Sequence, residues 1–267
     1  MNEGFIFNLD PILLRIGPIQ IRYYSLIFAT TIFIGYLIWR HQIMRGGYPK
    51  ELAERFFLWG FIAIIIGGRL GECCFYGGSR YLADPISILY VWKGGLSSHG
   101  VTLGLVIALI TFAIRNNLKI IEVFDRFAMS AALGAAMVRL GNFFNSEIVG
   151  SATDVTWGVK FIRYDGGIVA RHPSQLYEFA LGIFVLLLLY FTDKRAGKEN
   201  RPLGLMSGLF LTVYFFGRFM VEFVKEHLVL KNSFLTMGQY LSIIPFFVGV
   251  GILIWSKLNN QSKVNSF

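Results

Sequence analysis

Two sets of residues in this sequence have the types and spacing that chemistry on an anion requires. Arg139 and Asn142 stand three residues apart, and Tyr214, Arg218 and Glu222 follow at intervals of four. On helices each set would share one face. A guanidinium keeps its charge when partly buried, and its fork matches the oxygens of a phosphate. A neighbouring carboxylate or carboxamide can orient it or hold a hydroxyl-bearing group. His99, in Gly94-Gly95-Leu96-Ser97-Ser98-His99-Gly100, is the side chain best suited to take a proton near neutral pH. Arg69 with Glu72, Tyr23 with Tyr24, and His172 to Glu178 complete the inventory.

Each of these also has a plainer reading. Arg218 with Glu222, and Arg69 with Glu72, have the spacing of intrahelical ion pairs, and for the second pair structure is the favoured role. The outermost arginines can snorkel to lipid headgroups, and the tyrosines can form an interfacial belt. Ser98 and Ser174 lack a Gly-x-Ser-x-Gly elbow and are poor nucleophile candidates. The four histidines are dispersed with no metal-ligand spacing, and no nucleotide-binding motif occurs, so neither a metal nor a cofactor is expected. The two cysteines are the neighbours Cys73 and Cys74, for which packing is the default role.

The elements that must position these groups are long apolar blocks. Of the 267 residues 55% are hydrophobic and only 15% charged, too few to cover a water-facing surface. Blocks of roughly 20 apolar residues match a hydrocarbon core about 30 Å thick. Seven spans are expected, at about Tyr23–Trp39, Phe56–Tyr76, Leu96–Ile114, Val123–Phe144, Leu176–Phe191, Leu203–Val221 and Gly238–Trp255. The fold class is therefore all-α, a polytopic membrane bundle forming one domain over residues 1–267. Short loops dense in Lys and Arg follow the first, third and fifth spans, which places them in the cytoplasm, the N-terminus outside and the C-terminus inside. The formal charge of +9 fits that bias and attraction to anionic lipid. Its scatter between spans argues against nucleic acid as a partner. Met1 to Gln20 lacks the pattern of a removable signal peptide.

Between the spans, Asp84-Pro85 resembles an N-cap and first-turn proline. The residues after it (Ile86, Ile88, Leu89, Tyr90, Val91, Trp92) suit a short interfacial helix. Residues 145–175 are more polar and read as a small extracytoplasmic cap, and 259–267 as an irregular tail. Odd and even spans run in opposite senses, so an early position in one and a late position in the other share a side. All the polar groups named above fall in the outer half of the expected spans. Span four is rich in small residues (Ala131, Ala132, Gly134, Ala135, Ala136), which permit close helix approach. Pro173 at a helix start would leave free N–H groups facing outward.

The motifs resemble those of the prolipoprotein diacylglyceryl transferase family over nearly the whole chain. Arg139-Leu140-Gly141-Asn142-Phe143-Phe144-Asn145-Ser146-Glu147, with Gly150 following, is similar to the family signature, and HPSQLYE over 172–178 matches a family motif in full. Gly94 to Gly100, Arg22 to Ser25 and Met237-Gly238-Gln239 resemble three more. Departures occur at Val101, at Val138 and after Glu222, where Phe-Val-Lys-Glu-His replaces the common Phe-x-Arg-x-Pro. The resemblance implies transfer of the sn-1,2-diacylglyceryl group of phosphatidylglycerol to the lipobox cysteine thiol of a prolipoprotein, with release of glycerol 1-phosphate, in the bacterial inner membrane near the outer leaflet.

The chemistry of that reaction would use His99 as the base, directly or through Tyr24 or water, with Arg139 and Arg218 on the lipid phosphate. Glu147, Glu178 and Glu222 would orient the arginines or donate a proton to the leaving group. Asn142, Gly150, His172, Gln175, Tyr214 and Arg69 would line the substrate site. A transporter would instead call for polar residues through the whole membrane depth and repeat symmetry, and neither is present. A scaffold with snorkelling arginines would predict only stability losses on their replacement.

Overall fold

The computed structural model describes residues 4–17, 19–91, 94–226 and 234–264. Trp92 of the expected interfacial helix and His227 lie outside the described residues. Seven helices are long and apolar enough to cross a membrane: α1 (Tyr23–Arg45), α2 (Lys50–Phe75), α4 (Ser98–Arg115), α5 (Ile120–Phe144), α7 (Ser174–Arg195), α8 (Leu205–Val221) and α9 (Met237–Val264). Each coincides with an expected span, and the protein is a multi-pass membrane protein. Short elements fill the connections: strands β1 (Phe5–Phe7), β2 (Ile12–Ile16), β3 (Ile19–Arg22) and β4 (Val159–Phe161), and helices α3 (Gly78–Ala83) and α6 (Ile162–Asp165). Asn259 to Val264, expected as tail, continue α9, because nothing in Lys257-Leu258-Asn259-Asn260-Gln261 breaks a helix. The segment after Asp84 is a 3₁₀ turn, Pro85–Leu89, and the Asp84 side chain makes no capping bond.

The chain divides into two compact units, Met1–Trp39 with Phe127–Phe267, and Arg40–Arg126. In the first, α5, α7 and α8 share a core of Ala128, Met129, Ala132, Val185, Leu189, Met206 and Tyr214. Small residues let these helices close up: a Cβ added at Gly182 would lie 2.7 Å from the Ala136 Cβ. A second, smaller core gathers Phe7, Val149, Val159 and Phe161 under Phe143. It is sewn together by the parallel pairing of β1 with β4, Phe5 opposite Val159 and Phe7 opposite Phe161. β2 and β3 form an antiparallel hairpin leading straight into α1.

In the second unit α2 and α4 pack through glycines spaced by four. A Cβ at Gly71 would sit 2.6 Å from the Gly100 Cα, and one at Gly104 3.2 Å from the Gly67 Cα. This is the small-residue contact by which membrane helices gain dispersion energy where no hydrophobic drive separates protein from lipid. The many exposed large apolar side chains, such as Phe33, Leu58 and Ile244, have lipid as their solvent.

Candidate active site

The first unit brings most of the expected site residues together, and the centre of the arrangement is Glu178. Its side chain, one turn into α7, is fully buried. Arg139 on α5 meets it through Nε, 3.2 Å from Oε2, and also hydrogen-bonds Tyr214 on α8. Arg218 on α8 approaches Oε1 at 3.4 Å, and Lys225 donates to that same oxygen at 3.1 Å. Lys225 also pairs with Glu222 Oε2 at 3.0 Å. The intrahelical Arg218–Glu222 pair that the spacing allows is not the one formed: Arg218 reaches across to α7, and the i,i+3 lysine takes Glu222. Three cations face two carboxylates here, which leaves one positive charge over in a site with little access to water. Charges buried so deeply are tolerated only when paired, and the surplus makes an anion welcome.

Lys225 was not among the residues singled out in the sequence. Its three-residue spacing from Glu222 places it on the right side of the chain, but its bond to Glu178 spans 47 residues and no local pattern announces it. The glycine of the Met237-Gly238-Gln239 motif has a steric reason. A Cβ on Gly238 would run into the Glu222 carboxylate.

The signature around Arg139 also reads out in geometry. The Tyr24 ring lies against Gly141, where a Cβ would come within 2.7 Å of the tyrosine Cδ2. Glu147 receives Asn142 Nδ2 and Asn145 Nδ2, each at 3.3 Å, while its backbone carbonyl accepts from Gln175 Nε2 at 2.7 Å. Glu147 is flanked by Ser146 and Ile148 at φ +56° and +55°, a region costly for any side chain and most so for a β-branched one. The chain accepts this strain where it turns out of α5, and the turn aims Glu147 back at Asn142. Asn142 Oδ1 and Gln175 Oε1 are buried and have no hydrogen-bond partner among the described residues. Buried acceptors in native proteins nearly always find a donor, so these two oxygens mark places for hydroxyl or N–H groups from elsewhere.

Gly150 sits at a crossing rather than at a free turn. Its N–H donates to the His172 carbonyl at 2.9 Å, Ser151 N–H donates to the Val224 carbonyl at 2.9 Å, and Ala152 bridges Arg171. A Cβ on Gly150 would come within 2.6 Å of the His172 Cβ and 2.7 Å of the Val224 carbonyl. The entrance to α7 and the exit from α8 are thereby tied to one extended segment, residues 150–152. His172 points its ring at Tyr177, Nδ1 to hydroxyl 3.2 Å, and that hydroxyl also accepts from Trp157 Nε1 at 2.8 Å. Ser174 Oγ donates to the Ile148 carbonyl and is occupied structurally.

A second charged network lies outside the spans. Arg171 bonds Asp165 at 2.7 Å and Glu226 at 3.0 Å and lies over the Tyr164 ring at 4.9 Å. The Tyr164 hydroxyl donates to Glu226. That hydrogen bond, with partial burial and the carboxylate's charge added, raises the Tyr164 pKa above the ordinary phenol value.

Arg69, Glu72 and His99 belong to the second unit. Arg69 is not paired with Glu72. It donates to the backbone carbonyls of Ser87, Ile88, Gly94 and Gly95 at 2.6–3.1 Å and lies over the Tyr81 ring. Its guanidinium staples the connection between α2 and α4. His99 lies in the first turn of α4, which Ser97 caps by accepting from Gly100 N–H at 3.3 Å. His99 Nδ1 is 3.1 Å from the Tyr76 hydroxyl.

Comparison with known proteins covers nearly the whole chain. A family model described as prolipoprotein diacylglyceryl transferase matches residues 11–255. A phosphatidylglycerol–prolipoprotein diacylglyceryl transferase of Vibrio atlanticus (strain LGP32) is 38% identical over 275 residues, covering 98% of this chain and 97% of the relative. Its counterpart in Vibrio cholerae serotype O1 is 40% identical over 265 residues, 96% and 95% of the two chains. That of Tolumonas auensis is 38% identical over 255 residues, 94% and 96%.

Proposed function

This chain belongs to the prolipoprotein diacylglyceryl transferase family, and from that premise we propose where on it the transfer takes place and how its side chains divide the work. The reaction is movement of a diacylglyceryl group from phosphatidylglycerol to a prolipoprotein. The acceptor is the lipobox cysteine. Its sulfur forms a bond to the glycerol carbon of the sn-1,2-diacylglyceryl group, the carbon–oxygen bond to phosphate breaks, and glycerol 1-phosphate leaves with the electron pair. A cysteine thiol with an ordinary pKa of about 8.5 is mostly protonated at neutral pH, so a base must accept its proton.

The phosphate sits against Arg139 and Arg218. The observation that carries this assignment is the buried cluster in which Arg139, Arg218 and Lys225 outnumber Glu178 and Glu222 by one charge. As the carbon–oxygen bond breaks, negative charge grows on the phosphate, and preorganised guanidinium groups stabilise it without reorganising. The carboxylates keep the arginines aimed: Glu178 holds two of the cations, while Lys225 draws part of its charge and of Glu222's, so that neither arginine is fully spent on a carboxylate. Tyr214 steadies Arg139. Asn142 Oδ1 and Gln175 Oε1 accept from the hydroxyls of the glycerol headgroup, which answers their missing partners. Glu147 fixes Asn142, and Tyr24, seated on Gly141, lines the approach. Gly150 and His172 fix the rim through the backbone crossing. His99 is assigned the thiol proton on the strength of its motif. Arg69 has its donors engaged by carbonyls and serves as a structural residue.

The orientation follows from the basic density of the short loops after α1, α4 and α7: N-terminus outside, C-terminus in the cytoplasm, transfer toward the outer leaflet of the bacterial inner membrane. The decisive experiment measures transfer from labelled phosphatidylglycerol to a lipobox peptide by reconstituted wild type and Arg139→Ala, each checked for folding. Transfer by wild type that is lost in the folded variant places the phosphate at Arg139; equal turnover by both would remove that assignment. His99→Gln in the same assay tests the base, and near-normal turnover would rule it out.

A further inference from the structure

The glycines that bring α2 and α4 together also floor a groove between the two helices, with a volume of about 820 Å³. Its walls are Trp59, Ile66, Leu70, Leu103 and Ile107, each roughly half exposed. The lining is not apolar along its full length. At one end stand Arg55 and Arg115, one from each helix, with Asn116 beside them; the far end closes on Cys74 and Phe75. Both arginines are exposed, and among the described residues neither makes an ion pair. The carboxylate of Glu122 in the same unit is taken up by Arg126 and Tyr48, and Glu51 and Glu54 of α2 lie off the groove lining.

We propose that this groove is a binding site for one anionic glycerophospholipid. Its phosphate lies between Arg55 and Arg115, and its acyl chains run along Trp59, Ile66 and Ile107 toward the glycine floor. Charge complementarity selects the headgroup: two unpaired guanidiniums attract a lipid with net negative charge and repel the ammonium of a zwitterionic one. Bulk lipid met by snorkelling side chains would show no such choice. The site is separate from the proposed transfer chemistry. Arg115 and His99 stand sixteen residues apart on α4, about 24 Å at 1.5 Å per residue, so this lipid belongs to the leaflet at the opposite end of the helix from His99. A lipid held there would fasten the α2–α4 hairpin at its basic end, where no glycine contact does so.

Trp59, one turn from Arg55, is a reporter already in place. The full-length protein is reconstituted in bilayers containing phosphatidylglycerol or phosphatidylcholine with brominated acyl chains, and the quenching that disappears in Trp59→Phe is assigned to the groove. The expected result is a roughly tenfold preference for phosphatidylglycerol at Trp59, falling to near unity in the Arg55→Gln/Arg115→Gln double variant and weakening with salt. Ala108→Phe, which fills the groove, should lower quenching by both lipids. Equal quenching of wild type by the two lipids, a preference that survives the double substitution, or quenching unchanged by Ala108→Phe would each overturn the proposal. The readout is local, so it stands or falls independently of the proposed transfer site.

Discussion

Arg69 is buried and Arg139 mostly so, both on membrane-spanning helices, and their partners differ in kind. Arg69 spends its donors on four backbone carbonyls of the α2–α4 connection. Its partners are neutral and belong to a loop that must be held, so its charge serves geometry. Arg139 leans on a carboxylate that it shares with two other cations. Its partner is oversubscribed, so in the proposed reaction part of its charge remains for the lipid phosphate. A buried cation in a membrane is costly in either place, and only its partner list tells structure from site.

The largest expected break in this contrast comes from Glu178→Ala. It leaves Arg139, Arg218 and Lys225 without their common counter-charge, and a loss of about 3–5 kcal/mol in unfolding free energy is expected by chemical denaturation in detergent. A stability change under 1 kcal/mol would mean that the three cations do not depend on Glu178. Arg139→Lys keeps the charge but loses the fork. Transfer should fall about 100-fold with the protein still folded, as when one preorganised donor is removed from an oxyanion site. Arg69→Met tests the other side of the comparison. Removing bonds from a charged donor should cost about 1.5–3 kcal/mol of stability, while turnover per folded molecule stays near wild type. If turnover per folded molecule collapses instead, the two arginines are alike after all.

The smallest effect is at the Tyr164–Arg171–Glu226 network outside the spans. The Tyr164 pKa is raised by its hydrogen bond to Glu226, so this contact is fully present below the ordinary phenol pKa of about 10 and is lost as pH climbs through the raised value. Hydrogen exchange over residues 162–171 should accelerate there in wild type, and Tyr164→Phe should show that faster exchange at neutral pH.

The spans were legible because lipid demands long uninterrupted apolar blocks, and the seven long helices follow them within several residues, save that α9 runs on to Val264. The signature around Arg139 was legible as a motif, but not its mechanics. That Gly141 seats a tyrosine ring, or that Ser146 and Ile148 adopt positive φ to turn Glu147 back, depends on neighbours distant in sequence or on strain that no pattern advertises. Arg218 and Glu222 have the spacing of a helical pair, but a tertiary contact to Glu178 takes Arg218 and the neighbouring Lys225 takes Glu222. Lys225 went unnoticed for a related reason: the local sequence departs from the common pattern, and the contact that gives the lysine meaning crosses from the end of α8 to α7.

The crossing at Gly150 has a mechanical consequence. Main-chain hydrogen bonds tie His172, two residues before α7, and Val224, three residues after α8, to the same short segment at 150–151, and they hold whatever side chains are present. The two helices therefore share a main-chain pivot at one end, while at the other they are joined by their connecting loop and the Arg201–Asp193 ion pair at 2.7 Å. When a thicker or thinner bilayer forces them to tilt, displacement grows with distance from that knot. Glu178, Arg218 and Glu222 lie within about two helical turns of it, where the lever arm is shortest. A strain imposed by the membrane is thus spent on the remote ends of α7 and α8, and the spacing among the charges is the last thing to change.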